Sequence, residues 1–259
     1  MNSEPSKWPE SSRGGMIVWL QLVFIFLLVA SLFGFAFASL DYRWNWHGIW
    51  AYREKYFRGW LMTLVLSAGA MIMSGCIGVV LVGLQRVPVA AVRISVRFAV
   101  ELVRGTPLLV QIFILYYIVA DAFGGENRYL LGGLILSLFS GAYVSEILRG
   151  GIESVGETQY EAGRSVGFTE GQIYRYVVIP QALQRVLPSL AGQFVSLVKD
   201  SSLLSVIAIG ELTLNAQEVN SFSFSPFESF IPLAFGYLVL TLPIAMWSRR
   251  LERHFEFDS

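Results

Sequence analysis

Apolar residues run along this chain in long uncharged stretches, not in strand-like alternation. Met16–Leu40, Gly59–Leu84 and Phe230–Ser248 contain no Asp, Glu, Lys or Arg. A membrane-crossing helix needs about 20 such residues, so each is read as a span, the last kinked at Pro232 and Pro243. Tyr129–Ser145 is shorter and spans if Glu146 and Arg149 mark its polar end. Thr106–Ala120 reaches across only if Glu101 and Arg104 lie near the interface. Val186–Gly210 is long enough but carries Lys199 and Asp200 in its middle. Six spans result, all helical, because runs of this length lack the alternation of a barrel.

Composition agrees. Only 15% of the 259 residues are charged, against about 25% in soluble domains, and these charges sit in short patches between the apolar runs. A formal net charge of zero argues against nucleic-acid binding by bulk charge. The one cysteine, Cys76, has no partner for a disulfide and reads as a small hydrophobe within its span. His47 and His254 are too far apart in sequence to suggest a metal site, and none is expected. Lys7, Arg13 and the Ala36–Ala38 stretch resemble a signal peptide, but the apolar run between them exceeds the usual signal core.

Six spans place both termini on one side. With the termini inside, the cytoplasmic segments hold Lys7, Arg13, Arg86, Arg93, Arg97, Arg104, Arg149, Arg164, Arg175, Arg185, Arg249, Arg250 and Arg253. The outer loops hold Arg43, Arg53, Lys55, Arg58 and Arg128. Thirteen against five favours N-in, C-in by the positive-inside rule. The Glu211–Glu228 loop has no basic residue, as suits the outside. Trp44, Trp46, Trp50 and Trp60 flank the first outer loop like interfacial anchors. The first 15 residues read as a disordered cytoplasmic tail, 16–58 as a first span with a Trp-rich outer loop, and 251–259 as a second cytoplasmic tail.

Polarity inside the apolar framework is concentrated in a few places. Ala70, Ser74 and Gly78 recur every fourth residue, a small-residue face that another helix can approach closely. Arg93, Arg97, Glu101 and Arg104 share one helical face, where Glu101 can pair with either flanking arginine. Thr106-Pro107 then reads as N-cap and first residue of a new helix. An ionisable group at depth carries a penalty of roughly 2.5–3.5 kcal/mol and so faces protein or water. Glu101 and Arg104 are therefore candidate pathway residues. At Lys199-Asp200-Ser201-Ser202 there are two readings. Either the helix breaks and the serines cap its second half, or both charges face a polar interior.

Between Arg149 and Pro188 the chain is too polar to enter lipid. Thr158 with Glu161, and Thr169 with Gln172, have capping-box spacing, and Gly167 stands where a left-handed helix stop is needed. Two short helices are predicted, over 159–166 and 170–178, joined at the glycine and ended by Pro180. A unit this short is not stable alone and needs a surface to pack against, whether its own spans or a partner.

The residues here carry a family resemblance. Glu161-Ala162-Gly163, Gly167 and Val177-Val178-Ile179-Pro180 follow the pattern EAA-x3-G-x9-I-x-LP of permease subunits of binding-protein-dependent ABC importers. Gly163, Val177 and Ile179 depart from it by small or conservative changes. Three further stretches resemble the polar-amino-acid branch: Glu101-Leu-Val-Arg104-Gly-Thr-Pro-Leu-Leu-Val-Gln111, Tyr143-Val-Ser-Glu146-Ile-Leu-Arg149-Gly-Gly-Ile152, and Lys199-Asp-Ser-Ser-Leu203-Leu-Ser-Val-Ile207. The resemblance covers about residues 59–250.

It implies an all-α integral membrane protein of the type I ABC importer permease kind, in a bacterial inner membrane, forming the translocation pathway. It implies that segment 157–180 couples to a separate ATPase, with Gln159, Glu161, Ala162, Gly163, Gly167 and Pro180 as the coupling residues. It further implies a second permease subunit, the same or homologous, an extracytoplasmic solute-binding protein and an amino acid substrate. This chain has no G-x4-G-K-[ST] loop, so no cofactor is expected on it; ATP and Mg belong to the partner. Candidate pathway residues are Glu101, Arg104, Gln111, Glu146, Lys199 and Asp200. Arg104 or Lys199 would hold the substrate carboxylate, and Glu101, Glu146 or Asp200 its ammonium. A secondary transporter or channel gated without ATP, a non-transporting scaffold and an exporter permease are the other readings. If Arg104 and Lys199 face the solute, charge reversal at either should abolish uptake or change its solute dependence; uptake unchanged in both would exclude them.

Overall fold

The computed structural model describes residues 12–39, 42, 44–123 and 127–256. Among them there are helices and connecting loops and no strand, as the long apolar runs require. Two compact units, Met1–Trp44 and Asn45–Ser259, are taken in turn.

The first unit is one helix, α1 (Ser12–Ala38). Residues 12–15, read as the end of a disordered tail, are helical; residues 1–11 lie outside the described set. From Trp19 to Leu32 every side chain is exposed. A helix that is apolar all round and buries no face belongs in lipid. Trp19–Leu32 is the apolar stretch of this helix within the residues whose side chains are described. At its end Phe37 stacks on Trp44 at 6.3 Å, and Trp44 meets Tyr42 edge-on at 5.2 Å.

The second unit contains α2 (Trp46–Trp50), α3 (Arg53–Leu84), α4 (Ala90–Gly105), α5 (Leu108–Phe123) and α6 (Arg128–Glu153). The short α7 (Glu157–Ser165) and α8 (Glu170–Ile173) follow, then α9 (Ile179–Asp200), α10 (Leu212–Ser223) and α11 (Pro226–Glu256). Arg53, Lys55 and Arg58, read as outer-loop residues, lie in the first turns of α3. Four helical stretches are long and apolar enough to cross a membrane: 53–84, 128–153, 170–207 and 226–253. The pair α4 and α5, bent by 111°, makes a fifth if it counts as one span. Six were expected. α5 has 16 residues, about 24 Å, and falls short of a hydrocarbon core of about 30 Å without α4.

The α4–α5 bend follows from Thr106-Pro107. A residue before proline is pushed out of the helical region, and Thr106 is extended at φ −113°, ψ 145°. It closes α4 instead of capping α5: its hydroxyl donates to the Leu102 carbonyl at 2.9 Å. Gln111 reaches back from α5, donating to the Val103 carbonyl at 2.7 Å and to the Thr106 hydroxyl at 2.8 Å. Carbonyls that the helix end would leave unpaired are thereby satisfied.

The centre of the unit is the α3–α6 contact. Gly59, Thr63, Ser67, Ala70, Ser74, Gly78 and Val82 are buried along α3, at steps of four and three that keep one face. The stripe seen at 70, 74 and 78 thus runs the length of the helix. A Cβ on Gly78 would lie 2.6 Å from Val144 Cγ1, and one on Gly141 would lie 2.6 Å from Ile77 Cγ2. Ser74 shares its hydroxyl proton between the Ala70 carbonyl at 2.6 Å and the Ser137 carbonyl across the interface at 3.2 Å. Leu108, Ile112, Ile135, Leu136, Leu197 and Leu204 complete the core around Ala70. Cys76, read as a small hydrophobe within its span, is exposed on the other face of α3.

At Lys199-Asp200 the chain does not break. α9 tightens into a 3-10 turn over Ser201–Ile207 that ends at Ala208 with φ +57°. The serines cap no second half, and Ser201 donates to the Val198 carbonyl at 2.8 Å. The Glu211–Glu228 loop is largely helix α10, capped by a fully buried Glu211. Its carboxylate accepts from the backbone of Leu214 at 2.7 Å and Thr213 at 2.8 Å, and from the Tyr237 hydroxyl at 2.9 Å. Burial pushes the Glu211 carboxyl up, against these hydrogen bonds that lower it. The backbone of Leu212 donates to Thr63 on α3 at 3.1 Å.

Filling the α3–α6 contact should therefore destabilise the chain. Gly78→Leu overpacks it, a loss of about 1–3 kcal/mol, and should lower the melting midpoint in detergent. Gly75→Leu, at a glycine with no atom within 4 Å of a new Cβ, should leave the midpoint near wild type.

Candidate functional site

The polar segment after α6 folds as a unit with its own small core. Val155, Ile173, Val178 and Ala182 are buried together, with Ile152, Tyr160, Tyr174 and Val177 against them. α7 starts two residues earlier than its first capping box would place it. Gly156 is the N-cap and makes no side-chain bond, so the Thr158–Glu161 box does not form. The Thr169–Gln172 box does: the Gln172 backbone donates to the Thr169 hydroxyl at 3.4 Å, and the Thr169 backbone donates to the Gln172 side chain at 2.8 Å.

Gly167 carries the turn between the two helices at φ +81°. The Phe168 N–H bonds the Gly163 carbonyl at 3.1 Å and the Gly167 N–H bonds the Arg164 carbonyl at 3.0 Å. This is the Schellman closure that a left-handed glycine permits. An Arg164–Glu170 ion pair at 3.0 Å spans the turn.

The second helix does not end at Pro180. α8 passes into a π-helical turn, Tyr174–Val178, and then directly into α9. A proline in a helix has no N–H to donate and crowds the carbonyl four residues back. The π-turn widens the ladder just before it, with the Ile179 N–H reaching the Tyr174 carbonyl. The unit is thus continuous with the long helix 170–207.

Gln159, Glu161, Ala162, Gly167 and Pro180 are exposed. Gln159 accepts from Gln181 on α9 at 3.3 Å. Gly163 is different: it is buried, and a Cβ there would lie 2.9 Å from Ile173 Cγ1. Its departure from alanine lets α7 rest directly on Ile173, so it shapes the unit and offers no outward surface. Sequence reading missed the apolar surface of the turn. Val166 is 70% exposed and Tyr176 59% exposed, and Phe168 packs its ring 6.1 Å from Tyr176. Apolar residues on both sides of a turn glycine, in an otherwise polar segment, were the available signal. Within the unit Tyr160 meets Tyr174 edge-on at 6.0 Å. Burial, and then Tyr174, push the Tyr160 hydroxyl up.

The candidate pathway residues separate into groups. Glu101, Arg104 and Glu146 line one cleft of about 260 Å³ together with Arg97 and Arg149. Glu146 pairs with Arg104 at 3.3 Å and Arg149 at 2.8 Å, and Arg149 also holds Glu153 at 2.6 Å. Arg104 lies 5.3 Å from the Tyr143 ring centre. Glu101 is exposed and, among the described residues, forms an ion pair with neither Arg97 nor Arg104. Gln111 braces the α4–α5 bend. Lys199 is exposed and Asp200 half-buried at the end of α9; neither lines the cleft.

Residues 74–257 match the family described as binding-protein-dependent transport system inner membrane component. The chain is 35% identical over 211 residues to a probable glutamine ABC transporter permease protein, GlnM, of Bacillus subtilis (strain 168), covering 78% of this chain and 94% of that protein. It is 34% identical over 212 residues to the glutamine transport system permease protein GlnP of Escherichia coli (strain K12), covering 81% and 96%. A solved amino acid ABC transporter with histidines shares 32% identity at a TM-score of 0.77, covering 82% of this chain and all of that one. An inward-facing MetNI methionine ABC transporter shares the fold at a TM-score of 0.68 with 18% identity, covering 79% of this chain and 97% of that one.

The two capping boxes give opposite expectations for mutation. Thr169→Ala should destabilise the unit by about 1 kcal/mol and speed amide exchange in residues 168–173. Thr158→Ala should change exchange little.

Proposed function

Because this chain belongs to the binding-protein-dependent transport system inner membrane components, as the permease subunit of an amino acid importer, we propose that segment 157–180 is its seat for a separate ATPase. One observation carries the reading: a capped, glycine-closed unit presents Gln159, Glu161 and Ala162 beside exposed apolar side chains at 166, 168 and 176. An apolar patch rimmed by polar groups is the surface a protein partner covers. The permease is the non-catalytic membrane subunit; ATP and Mg act on the partner.

The unit is also suited to pass on a displacement. Gly163 sits on Ile173, Gln159 is tied to Gln181, and the π-turn joins the unit to α9 without a hinge loop. Movement of the docked ATPase would shift residues 170–207 as a lever and rock the bundle between inward- and outward-open states.

The side bearing α7 and α8 is then cytoplasmic, with both termini inside and the protein in a bacterial inner membrane. A second permease copy or homologue completes the pathway, and an extracytoplasmic binding protein delivers the solute. Glutamine is the amino acid named for the relatives, and we assign the same class of solute here. Arg104, Glu101 and Glu146 stand on the cytoplasmic side of that pathway, and Lys199 and Asp200 elsewhere along it.

The test is uptake in proteoliposomes containing the permease, its ATPase and its binding protein. Glu161→Lys and Gly167→Asp should leave the chain in the membrane but reduce ATP-driven uptake by at least tenfold and weaken ATPase association. Normal uptake and association in both variants would overturn the coupling assignment.

A further inference from the structure

The surface of α4 is divided lengthwise. Val100 is buried against the bundle, with Val96 and Val103 half-buried beside it. Ile94, Phe98 and Leu102 recur at steps of four on another face and are 65%, 65% and 53% exposed. Between these two lines run Arg93 and Arg97, one turn apart. A helix with large apolar side chains on one exposed face and arginines on the next is the kind that lies in a membrane surface.

The direction of α4 agrees. Five residues separate the end of α3 at Leu84 from the start of α4 at Ala90. At its other end Arg104 pairs with Glu146, about two turns before α6 finishes at Glu153. Both ends of α4 therefore lie at the α7–α8 end of the bundle, and the helix runs across that end. Its bend of 111° against α5 is near a right angle. α5, short of the hydrocarbon thickness by itself, suits such a start. A short span draws the bilayer thinner and its flanking residues to the interface.

The arginines identify what covers this surface. Arg104 and Arg149 are engaged by Glu146 and Glu153, whereas Arg93 and Arg97 form no ion pair among the described residues. Like charges one turn apart, with about 5–6 Å between Cβ atoms, repel each other. A phosphodiester between them removes that repulsion, since each guanidinium can hold phosphate oxygens in a bidentate fork. Glu101 is the one carboxylate of α4, so the exposed edge keeps a net positive charge. A second copy packed face to face here would set four such arginines against two glutamates. An anionic headgroup corrects the imbalance, while phosphatidylcholine brings its own cation.

We propose that α4 lies in the membrane surface at the α7–α8 end of the bundle, where Arg93 and Arg97 hold the headgroup of an anionic phospholipid. Ile94, Phe98 and Leu102 then stand among the acyl chains.

Two measurements on the full chain test this. The first is native mass spectrometry of the detergent-solubilised protein titrated with phosphatidylglycerol or phosphatidylcholine. Each charge beside the headgroup changes affinity roughly fivefold, and two arginines are set against one glutamate. Phosphatidylglycerol should therefore bind about fivefold tighter than phosphatidylcholine. Arg93→Gln or Arg97→Gln should remove the preference, and Glu101→Gln should raise it to about 25-fold. Excess inorganic phosphate should not displace the lipid. Equal binding of the two lipids, a preference unchanged in both arginine variants, or displacement by phosphate would overturn the headgroup site. The second is a nitroxide at Phe98→Cys, in a Cys76→Ser chain in nanodiscs of both lipids. Oxygen, which concentrates in lipid, should relax this label more than a water-soluble nickel chelate does. A label reached chiefly by the chelate, or shielded from both as a second copy or another protein would shield it, would overturn the placement of α4.

Discussion

Close approach of α3 and α6 is the constraint on which the rest of the bundle depends. In lipid, two helices gain little by hiding apolar side chains from a medium that is itself apolar. Contact has to come from packing and from hydrogen bonds across the interface. Gly78 and Gly141 bring the backbones together where a Cβ would collide with Val144 or Ile77. Ser74 uses that proximity to reach the Ser137 carbonyl. At the far end of the same stripe, Gly59 and Thr63 receive α10: a Cβ on Gly59 would meet Asn215 Nδ2 at 2.5 Å, and Thr63 accepts the Leu212 N–H. One small-residue face on α3 thus positions α6 and, through Glu211, the α10 segment against α11.

The unit built on α7 and α8 uses the same device for a different end. Gly163 lies against Ile173, and Gly151 lies so close to Val186 that a Cβ there would fall 2.1 Å from its Cγ1. Arg185 bonds the Ser154 carbonyl, and its guanidinium also reaches the Ser154 hydroxyl at 3.1 Å. The Gly151 and Arg185 contacts fasten α6 to α9 on either side of the unit, and the Gln181–Gln159 hydrogen bond ties α7 to α9. Pro180 does not interrupt this, because the π-turn before it absorbs the lost donor. Such turns often mark places where a helix serves function more than regularity. A short polar element too small to hold its own shape is in this way held between the helices that flank it.

Charge in the bundle is handled by pairing within protein. The Arg104–Glu146–Arg149–Glu153 chain links α4 to α6 at the end where α7 begins. The exposed pairs within it add little stability individually, but a network fixes the relative orientation of the two helices. Arg97, Glu101 and Gln85 line the cleft beside this network.

Much of this was legible in the sequence. Uncharged runs identified the apolar helices, since their length against the hydrocarbon thickness is a one-dimensional property. Thr169 with Gln172 and the left-handed Gly167 were readable because caps depend on residues three or four apart. Other features depended on neighbours distant in the chain. Whether Thr158 capped α7 was decided by where the burial of Val155 starts the helix. Whether Pro180 ended a helix was decided by the π-turn and by the packing of Val178 and Ala182 behind it. The part Gln111, a candidate pathway residue, takes in bracing a bend was not legible, because only the 111° turn brings it back to Val103 and Thr106. Local pattern determined the helices, their caps and the presence of a polar unit between spans. The tertiary structure alone decided which charges meet in one cleft, since residues 85, 101 and 146 become neighbours only when α3, α4 and α6 pack.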